Sequence, residues 1–513
     1  MLSGLCVGVL ATAGYAAVVL AALIALAYAT FRWPHQMPIV VALACAVYLG
    51  VYLRYRIAFG GFPISVLNLL PLLLIVGACS LSYRERGHGV LTSRAAIPAA
   101  LLAAGLLVGG LVGLARGAEL YQVLRVSSTE VCLMVALLAG LLAGGAQRWQ
   151  KATVTAFYAA AIFAAAQQIV SFTYLVAVGH SIWQAFPFGA NVLNLDQALA
   201  SGLIAGTRDN YIATFIMLPG LTLSVYRLTA RDVFVSAIII LAMAVSLSRS
   251  MWIAAVLGIA LALAARMLSG RMLRPARLVK LVVVVVAVGG ALSVVGWPAV
   301  SARLQQTGGQ RDTSLQIRRA ETVQAFRAVT ASPLTALAGI GAGVVLPPTP
   351  TLIQSSVGQA VLARGDSSSV LENQLLGRWT NFGLLSVFGT VGLLLWTGAA
   401  ALWTLVRQRP TVDHDLIALG LALPPLLAVS PFSGTLLQLN LSLPFWMLAG
   451  TILAALARAD LLRRRSPTST RTSVSSSNRN LSRRHASVPS PPVQPAARPG
   501  CPAAPVPPSP DRG

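Results

Sequence analysis

The chain has 513 residues, of which 56% are hydrophobic and only 10% charged, with a mean hydropathy of +0.75; a water-soluble globule of that composition is excluded, because its surface would be mostly apolar. The formal net charge of +24 does not indicate nucleic-acid binding, since the arginines stand at the ends of apolar runs and in the C-terminal tail, with no fold around them that reads a groove. Contact with anionic membrane lipids accounts for them. Of the five cysteines, Cys6, Cys45, Cys79 and Cys132 lie in apolar runs and Cys501 in the tail, so they read as buried small hydrophobes rather than as disulfides or a zinc site.

In chain order, apolar runs fall near 4–31, 37–54, 60–81, 95–115, 128–146, 152–178, 210–228, 232–247, 250–268, 279–297, 382–406, 414–431 and 439–458. Crossing a hydrocarbon core of roughly 30 Å takes about 20 apolar residues, and runs that are unbroken rather than alternating read as helices. The first lacks a basic leader and opens a series of similar runs, so it reads as a retained span rather than a signal peptide. Short basic turns at Arg84/Arg86/Arg94, Arg148/Lys151, Arg227/Arg231, Arg266 to Lys280 and Arg407/Arg409 all fall on one side, which the positive-inside rule makes cytoplasmic. Before residue 82 the orientation is less constrained: Arg54 and Arg56 fall outside, and one early segment is a hairpin or re-entrant element if only twelve runs span. The expected architecture is an all-α polytopic membrane bundle of 12–13 helices over residues 1–462. It includes one large extracytoplasmic loop, 298–381. From 463 to 513 the composition turns to Arg, Ser, Thr, Pro and Ala, which cannot bury enough surface to order itself, and this segment reads as a cytoplasmic tail.

The outer loop is where the polar residues gather, with seven arginines and four acids between Ser301 and Asn381. Ser314 to Thr330 has the period of an amphipathic helix, with Leu315, Ala320, Val323, Phe326 and Val329 apolar and Arg318, Arg319 and Arg327 among them. Arg318 and Arg319 point about 100° apart on a helix, so only one of them can face a common site. Ser332-Pro333-Leu334 follows, then Gly339-Ile340-Gly341-Ala342-Gly343, which reads first as a tight backbone turn and only weakly as a phosphate cradle. The loop closes on Leu371-Glu372-Asn373-Gln374. A carboxylate at the outer interface, in a chain with fourteen acids, is costly unless paired or used; a local ion pair of Glu372 with an arginine such as Arg378 is the plain alternative. Two further arginines border outer turns: Arg249 in Ser246-Leu247-Ser248-Arg249-Ser250-Met251-Trp252, and Arg208 in Arg208-Asp209-Asn210. Both also fit snorkelling or locally paired interfacial residues.

Taken together, these segments resemble the O-antigen ligase and polymerase superfamily of bacterial membrane glycosyltransferases. The Ser-x-Ser-Arg stretch at 246–249 is similar to that family's segment before a span. Arg318, fifteen residues ahead of Pro333, with Gly339-Ile340-Gly341 behind it, is similar to the family's loop pattern, and Glu372-Asn373, eleven residues before Gly383, stands where the family has a His-Asn or Glu-Asn pair. The resemblance covers roughly residues 200–430. It implies transfer or polymerisation of polyprenyl-diphosphate-linked glycan at the outer face of the bacterial cytoplasmic membrane, inverting and metal-independent, without a cofactor, and alongside polysaccharide export or chain-length-control partners. Ligase members that place O-antigen on lipid A core carry histidine where this chain has Glu372, which leans the reading toward polymerisation.

The residue types suit that reaction. A leaving diphosphate needs fixed positive charge where its negative charge grows, and without a divalent metal arginines supply it. Arg249, Arg318 and Arg208 are the diphosphate-binding candidates. Glu372 is the candidate catalytic base for the acceptor hydroxyl, or else an orienting group, Asn373 binds glycan hydroxyls or positions Glu372, and His180 is a weaker alternative base. Two other readings stand beside this one: ligase-like transfer of glycan to a lipid or protein acceptor, and a secondary transporter or flippase. The transporter predicts ionisable groups at the bilayer midplane and internal repeats; neither is evident in the sequence.

Overall fold

The computed structural model describes residues 25, 27–46, 56–59, 62–85, 96–178, 215–246, 249–270, isolated positions between 276 and 290, 313–344, 346, 373–407, 412–430 and 439–465. They form a helix bundle: α1 (Met37–Ala46), α2 (Val66–Arg84), α3 (Ala96–Ala115), α4 (Leu120–Ala143), α5 (Gln147–Val178), α6 (Met217–Arg227), α7 (Ala230–Val245), α8 (Arg249–Leu268), α9 (Thr313–Thr330), α10 (Pro333–Ala338), α11 (Gln374–Val406), α12 (His414–Leu419), α13 (Leu423–Val429) and α14 (Leu439–Arg465). Six of these, α3, α4, α5, α8, α11 and α14, are long and apolar enough to cross a membrane, and three shorter apolar stretches accompany them, among the described residues. The all-α polytopic architecture expected from the apolar runs is thus the one observed. The runs at 4–31 and 279–297, on which the number of spans turns, lie largely outside the described residues, as does the chain after 465.

Several boundaries differ from the sequence reading. Where an apolar run was expected from residue 60, a two-stranded antiparallel hairpin, β1 (Arg56–Phe59) and β2 (Phe62–Ser65), comes first, pairing Arg56 with Ser65 and Phe59 with Phe62. Gly60-Gly61 is the kind of two-residue connection that such hairpins favour, and the helix begins only at Val66. The run at 414–431 is divided into α12 and α13 by a 3-10 turn, Gly420–Ala422; Pro424 and Pro425 open α13, where they lack no hydrogen bond that a helix start would make. Finally, α11 begins at Gln374 rather than near 382, so the last residues assigned to the outer loop are helical.

In a bilayer the lipid tails are as apolar as leucine, so helices associate through close packing rather than through hydrophobic burial. The sequence provides for this with glycines one turn apart. On α3, Gly105, Gly109 and Gly113 line one face. A β-carbon at Gly105 would meet the Ser386 backbone, at Gly109 the Asn381 carbonyl and Phe382 Cα, and at Gly113 the Ala342 carbonyl. This makes an antiparallel, close-packed seam between α3 and α11. A second pair, Gly140 and Gly144 on α4, meets Met447, Gly450 and Thr451 of α14 in the same way. It is fixed by the indole of fully buried Trp149, which donates to the Thr451 hydroxyl at 3.1 Å.

The basic turns collect at the opposite end of the bundle from the loop. Arg227 binds Asp415 through two nitrogens at 2.9 and 2.6 Å, tying α6 to α12. Arg266, buried near the end of α8, donates to the carbonyls of Tyr226 and Arg227, placing a cation at the C-terminus of α6 where the helix dipole favours it. Thr229 and Asp232 cap α7 reciprocally, and the Tyr158 hydroxyl donates to Asp232 at 2.9 Å. Arg84 reaches the Phe31 carbonyl at 2.9 Å, and Arg458 that of Gly145.

The seam makes a direct prediction. Gly109→Ala forces a methyl group into the α11 backbone and is expected to destabilise by about 1–3 kcal/mol, the usual cost of overpacking. Gly392→Ala, which meets nothing within 4 Å, is expected to be neutral or slightly stabilising. Thermal unfolding of the two purified variants in detergent compares them directly; equal midpoints would show that the seam is not close-packed.

Candidate functional site

At the loop end of the bundle, α9, α10 and the glycine-rich turn form a cap seated on α3 and α11. Helix α10 is started by Ser332, whose hydroxyl accepts from the Thr335 amide at 3.1 Å while Thr335 answers the Ser332 amide at 2.9 Å, with Pro333 in the first turn. It is stopped by Gly339, at φ 78° and ψ −176°, a backbone region open essentially to glycine alone. From there the chain crosses both helices. The amides of Ile340 and Gly341 donate to the Thr380 carbonyl at 2.8 and 3.2 Å, and that of Ala342 to the Gly109 carbonyl at 2.8 Å. Arg116 holds the Ile340 carbonyl at 3.2 Å.

Helix α11 is built to receive this turn. Gly383 interrupts it with φ 73° and ψ −178°, and a β-carbon there would collide with the carbonyls of Leu337 and Ala338, just as one on Gly339 would collide with those of Trp379 and Thr380. Two glycines in the same unusual conformation thus face each other across the joint. Gly383 is therefore an internal break in α11 rather than its first residue. The turn itself is a packing device: its amides at 340, 341 and 342 are bound to carbonyls and are not presented to an anion.

Helix α9 has the extent that its periodicity predicts, but buries a different stripe. Ala325 and Val329 are buried against Ile340 and Leu376, whereas Val323 and Phe326 stay exposed, Phe326 meeting Trp379 edge-on with ring centroids 6.0 Å apart. The indole of Trp379 donates to the Ala336 carbonyl at 2.6 Å. Arg318 stands seven residues before Ala325, which places the two positions on one helical face, about 20° apart. Arg319, about 100° round, is exposed. Of the two adjacent arginines, Arg318 therefore shares the face that seats α9 on the first turns of α11.

The other candidates are placed as follows. Arg249 is the first residue of α8, a helix that packs against α6, α11 and α13. Asn373 is the N-cap of α11, its side-chain oxygen accepting from the Leu376 amide at 3.1 Å, so that oxygen is committed to starting the helix. Glu372, Arg208 and His180 lie outside the described residues. No single described contact joins Arg249, Arg318 and Asn373; what they share is the loop end of α8, α9 and α11.

One pair of residues was not anticipated. Arg378, one turn into α11, donates to Glu130 of α4 at 2.7 Å, with the two side chains 0% and 6% exposed, and its guanidinium lies 5.1 Å from the ring centroid of Trp446 on α14. Arg378 was considered only as a local partner of Glu372; it joins three helices beneath the cap. Glu130 was not among the expected site residues. Helix α4 starts at Leu120, which sets the carboxylate about 15 Å along it. An acid well inside a membrane helix was the signal that would have found it.

Breaking a buried pair by removing one partner leaves a charge without compensation and costs about 3–5 kcal/mol, whereas replacing both by apolar residues is often near neutral. Accordingly, Arg378→Met alone is expected to lower the yield of folded protein and its melting temperature sharply, and Glu130→Leu with Arg378→Met to recover most of the loss. A double substitution no better than the single one, by thermal unfolding, would remove the pairing as the cause.

Residues 234–397 match the model of the family described as O-Antigen ligase. No curated protein and no solved structure matches the chain. The matched region begins in α7, takes in α8 with Arg249, the cap with Arg318 and the Gly339–Gly343 turn, and ends within α11 past Glu372, Asn373 and Gly383; it leaves Arg208 and Glu130 outside. The order of segments that suggested a resemblance and the matched region coincide around one cap on one end of a membrane bundle, and the match over residues 234–397 supports the likeness to the O-antigen ligase and polymerase superfamily.

Proposed function

We propose that the chain polymerises glycan repeat units carried on polyprenyl diphosphate, at the outer face of the cytoplasmic membrane. The reading is carried by one observation: Ala325 and Val329 of α9, on the helical face that also holds the Arg318 position, pack against Leu376 in the first turn of α11, the helix that starts at Gln374 with Asn373 as its cap. In the proposed reaction an acceptor hydroxyl attacks the anomeric carbon of the donor sugar and its proton passes to the Glu372 carboxylate. The bond between that carbon and the diphosphate oxygen breaks with inversion. The diphosphate leaves on its lipid, its growing charge met by Arg249, Arg318 and Arg208. Asn373, with its oxygen engaged in the cap, meets glycan through its amide nitrogen. None of these steps requires a metal in this scheme.

The orientation rests on the basic residues at the end opposite the cap, among them Arg84, Arg148, Arg227, Arg231 and Arg266, which the positive-inside rule assigns to the cytoplasm. The C-terminus then lies inside. Ligase-like transfer to a lipid or protein acceptor is the second reading, favoured by the description of the matched family; Glu372 in place of the ligase histidine favours polymerisation.

Glu372→Gln and Arg318→Ala, introduced into the host strain in place of the native chain, are expected to abolish long glycan, at least a hundredfold below wild type, with unchanged protein levels in the membrane. A polymerase defect leaves single repeat units on the carrier lipid and their single-unit products, whereas a ligase defect leaves long polymer on the carrier with no acceptor attached. Mass analysis of extracted lipid-linked oligosaccharide separates the two, and normal long product in both variants would remove the enzymatic assignment.

A further inference from the structure

The short helix α10 packs beside α3 and α11. Helix α3 is twenty residues long, about 30 Å, and so just spans the hydrocarbon core. Its Gly109, six residues from its end and therefore about 9 Å in, is bonded to the amide of Ala342 and closely approached by Asn381 and Phe382. The next residue, Gly383, abuts the Leu337 and Ala338 carbonyls of α10. Yet Leu334 and Leu337 on α10 are 68% and 64% exposed. With α3 spanning the hydrocarbon core, a side chain exposed at that level meets acyl chain rather than water. On α9, one arc of about 100° holds Arg319, Val323, Phe326, Arg327 and Thr330, all exposed. This surface mixes apolar and basic residues, a composition that suits a headgroup boundary.

We infer that α9 and α10 form a lipid-seated wedge: Leu334 and Leu337 enter the acyl region of the outer leaflet beside α3 and α11, and Arg319 and Arg327 engage anionic phosphate headgroups above them. The partner is the bilayer itself. Continuity with the lipid-facing side of α3, where Leu107 and Leu111 are exposed, extends the membrane belt onto the cap, and the arginines give the complement to anionic lipid. The wedge stands on the geometry of the cap alone and holds whether the chain polymerises or ligates.

The test uses the full chain with its five cysteines replaced, single cysteines introduced by Leu334→Cys, Leu337→Cys and Phe326→Cys, bimane attached, and reconstitution into vesicles containing acyl-brominated lipid. Leu111→Cys on the lipid face of α3 and Glu85→Cys in the exposed turn after α2 give the quenched and unquenched references, and normal quenching at Leu111→Cys shows that the protein is folded. Quenching at 334 and 337 within twofold of that at 111 is expected. Quenching equal to that at 85 places the leucines in water and overturns the inference; thiols that resist a small reagent even in detergent place them under protein and overturn it equally. For the headgroup contact, bimane at 326 is expected to be quenched at least twofold more in phosphatidylglycerol than in phosphatidylcholine vesicles, with the difference lost in the Arg319→Gln, Arg327→Gln background. Equal quenching in the two lipids removes the arginines from the interaction.

Discussion

Backbone touching backbone, without side chains between, is the constraint on which the loop end of this protein depends. Gly105, Gly109 and Gly113 let α3 lie directly on α11 and on the turn after α10, and Gly339 and Gly383 let that turn enter the break in α11. Lipid offers no solvent for a stray amide or carbonyl, so a chain that leaves regular helix at this depth must bring its own partners. Here it does so with three amides, two carbonyls and the Arg116 guanidinium. The cap is thus an extension of the bundle rather than a loop laid upon it.

Beneath the cap, the Glu130 and Arg378 pair performs a different task. Glycine seams are close but featureless along their length, and two helices that meet through glycine can slide by a turn at modest cost. A single buried ion pair between α4 and α11, covered by Trp446 of α14, has one register only. It sits one turn below Asn373, so the start of α11, where the candidate base is attached, is fixed against two other helices. The family match does not reach Glu130; the first part of the chain contributes to the site through this contact.

Much of this was legible in the chain. Apolar runs gave the bundle, while the spacing of Arg318, Pro333 and Gly339 singled out the cap. The extent of α9 followed from its period, and the tight-turn reading of the glycines was the right one. What was missed has identifiable causes. A hydropathy run marks where apolar residues are dense, not where hydrogen bonding starts, so α4 and α11 begin eight residues before their runs; this hid Glu130 as an interior acid and made Gly383 look like a helix start. The buried stripe of α9 follows Ala325 and Val329, packed against Ile340 and Leu376, while Val323 and Phe326 face outward, a choice set by the partner surface and invisible to periodicity. The glycine spacing on α3 and α4 was present in the sequence and is the pattern that close helix packing in lipid uses.

The shared hydrogen bonds at the Gly383 break also bear on traffic. Lifting the cap would leave the amides of Ile340, Gly341 and Ala342 without the carbonyls they now bind, a cost of about 1–3 kcal/mol for each amide left buried and unpaired. A cap so bonded cannot serve as a hinged door that swings at every cycle. In the proposed reaction the large, lipid-tethered donor and product then pass beside the cap, arriving and departing sideways through the plane of the membrane, while the roof stays in place.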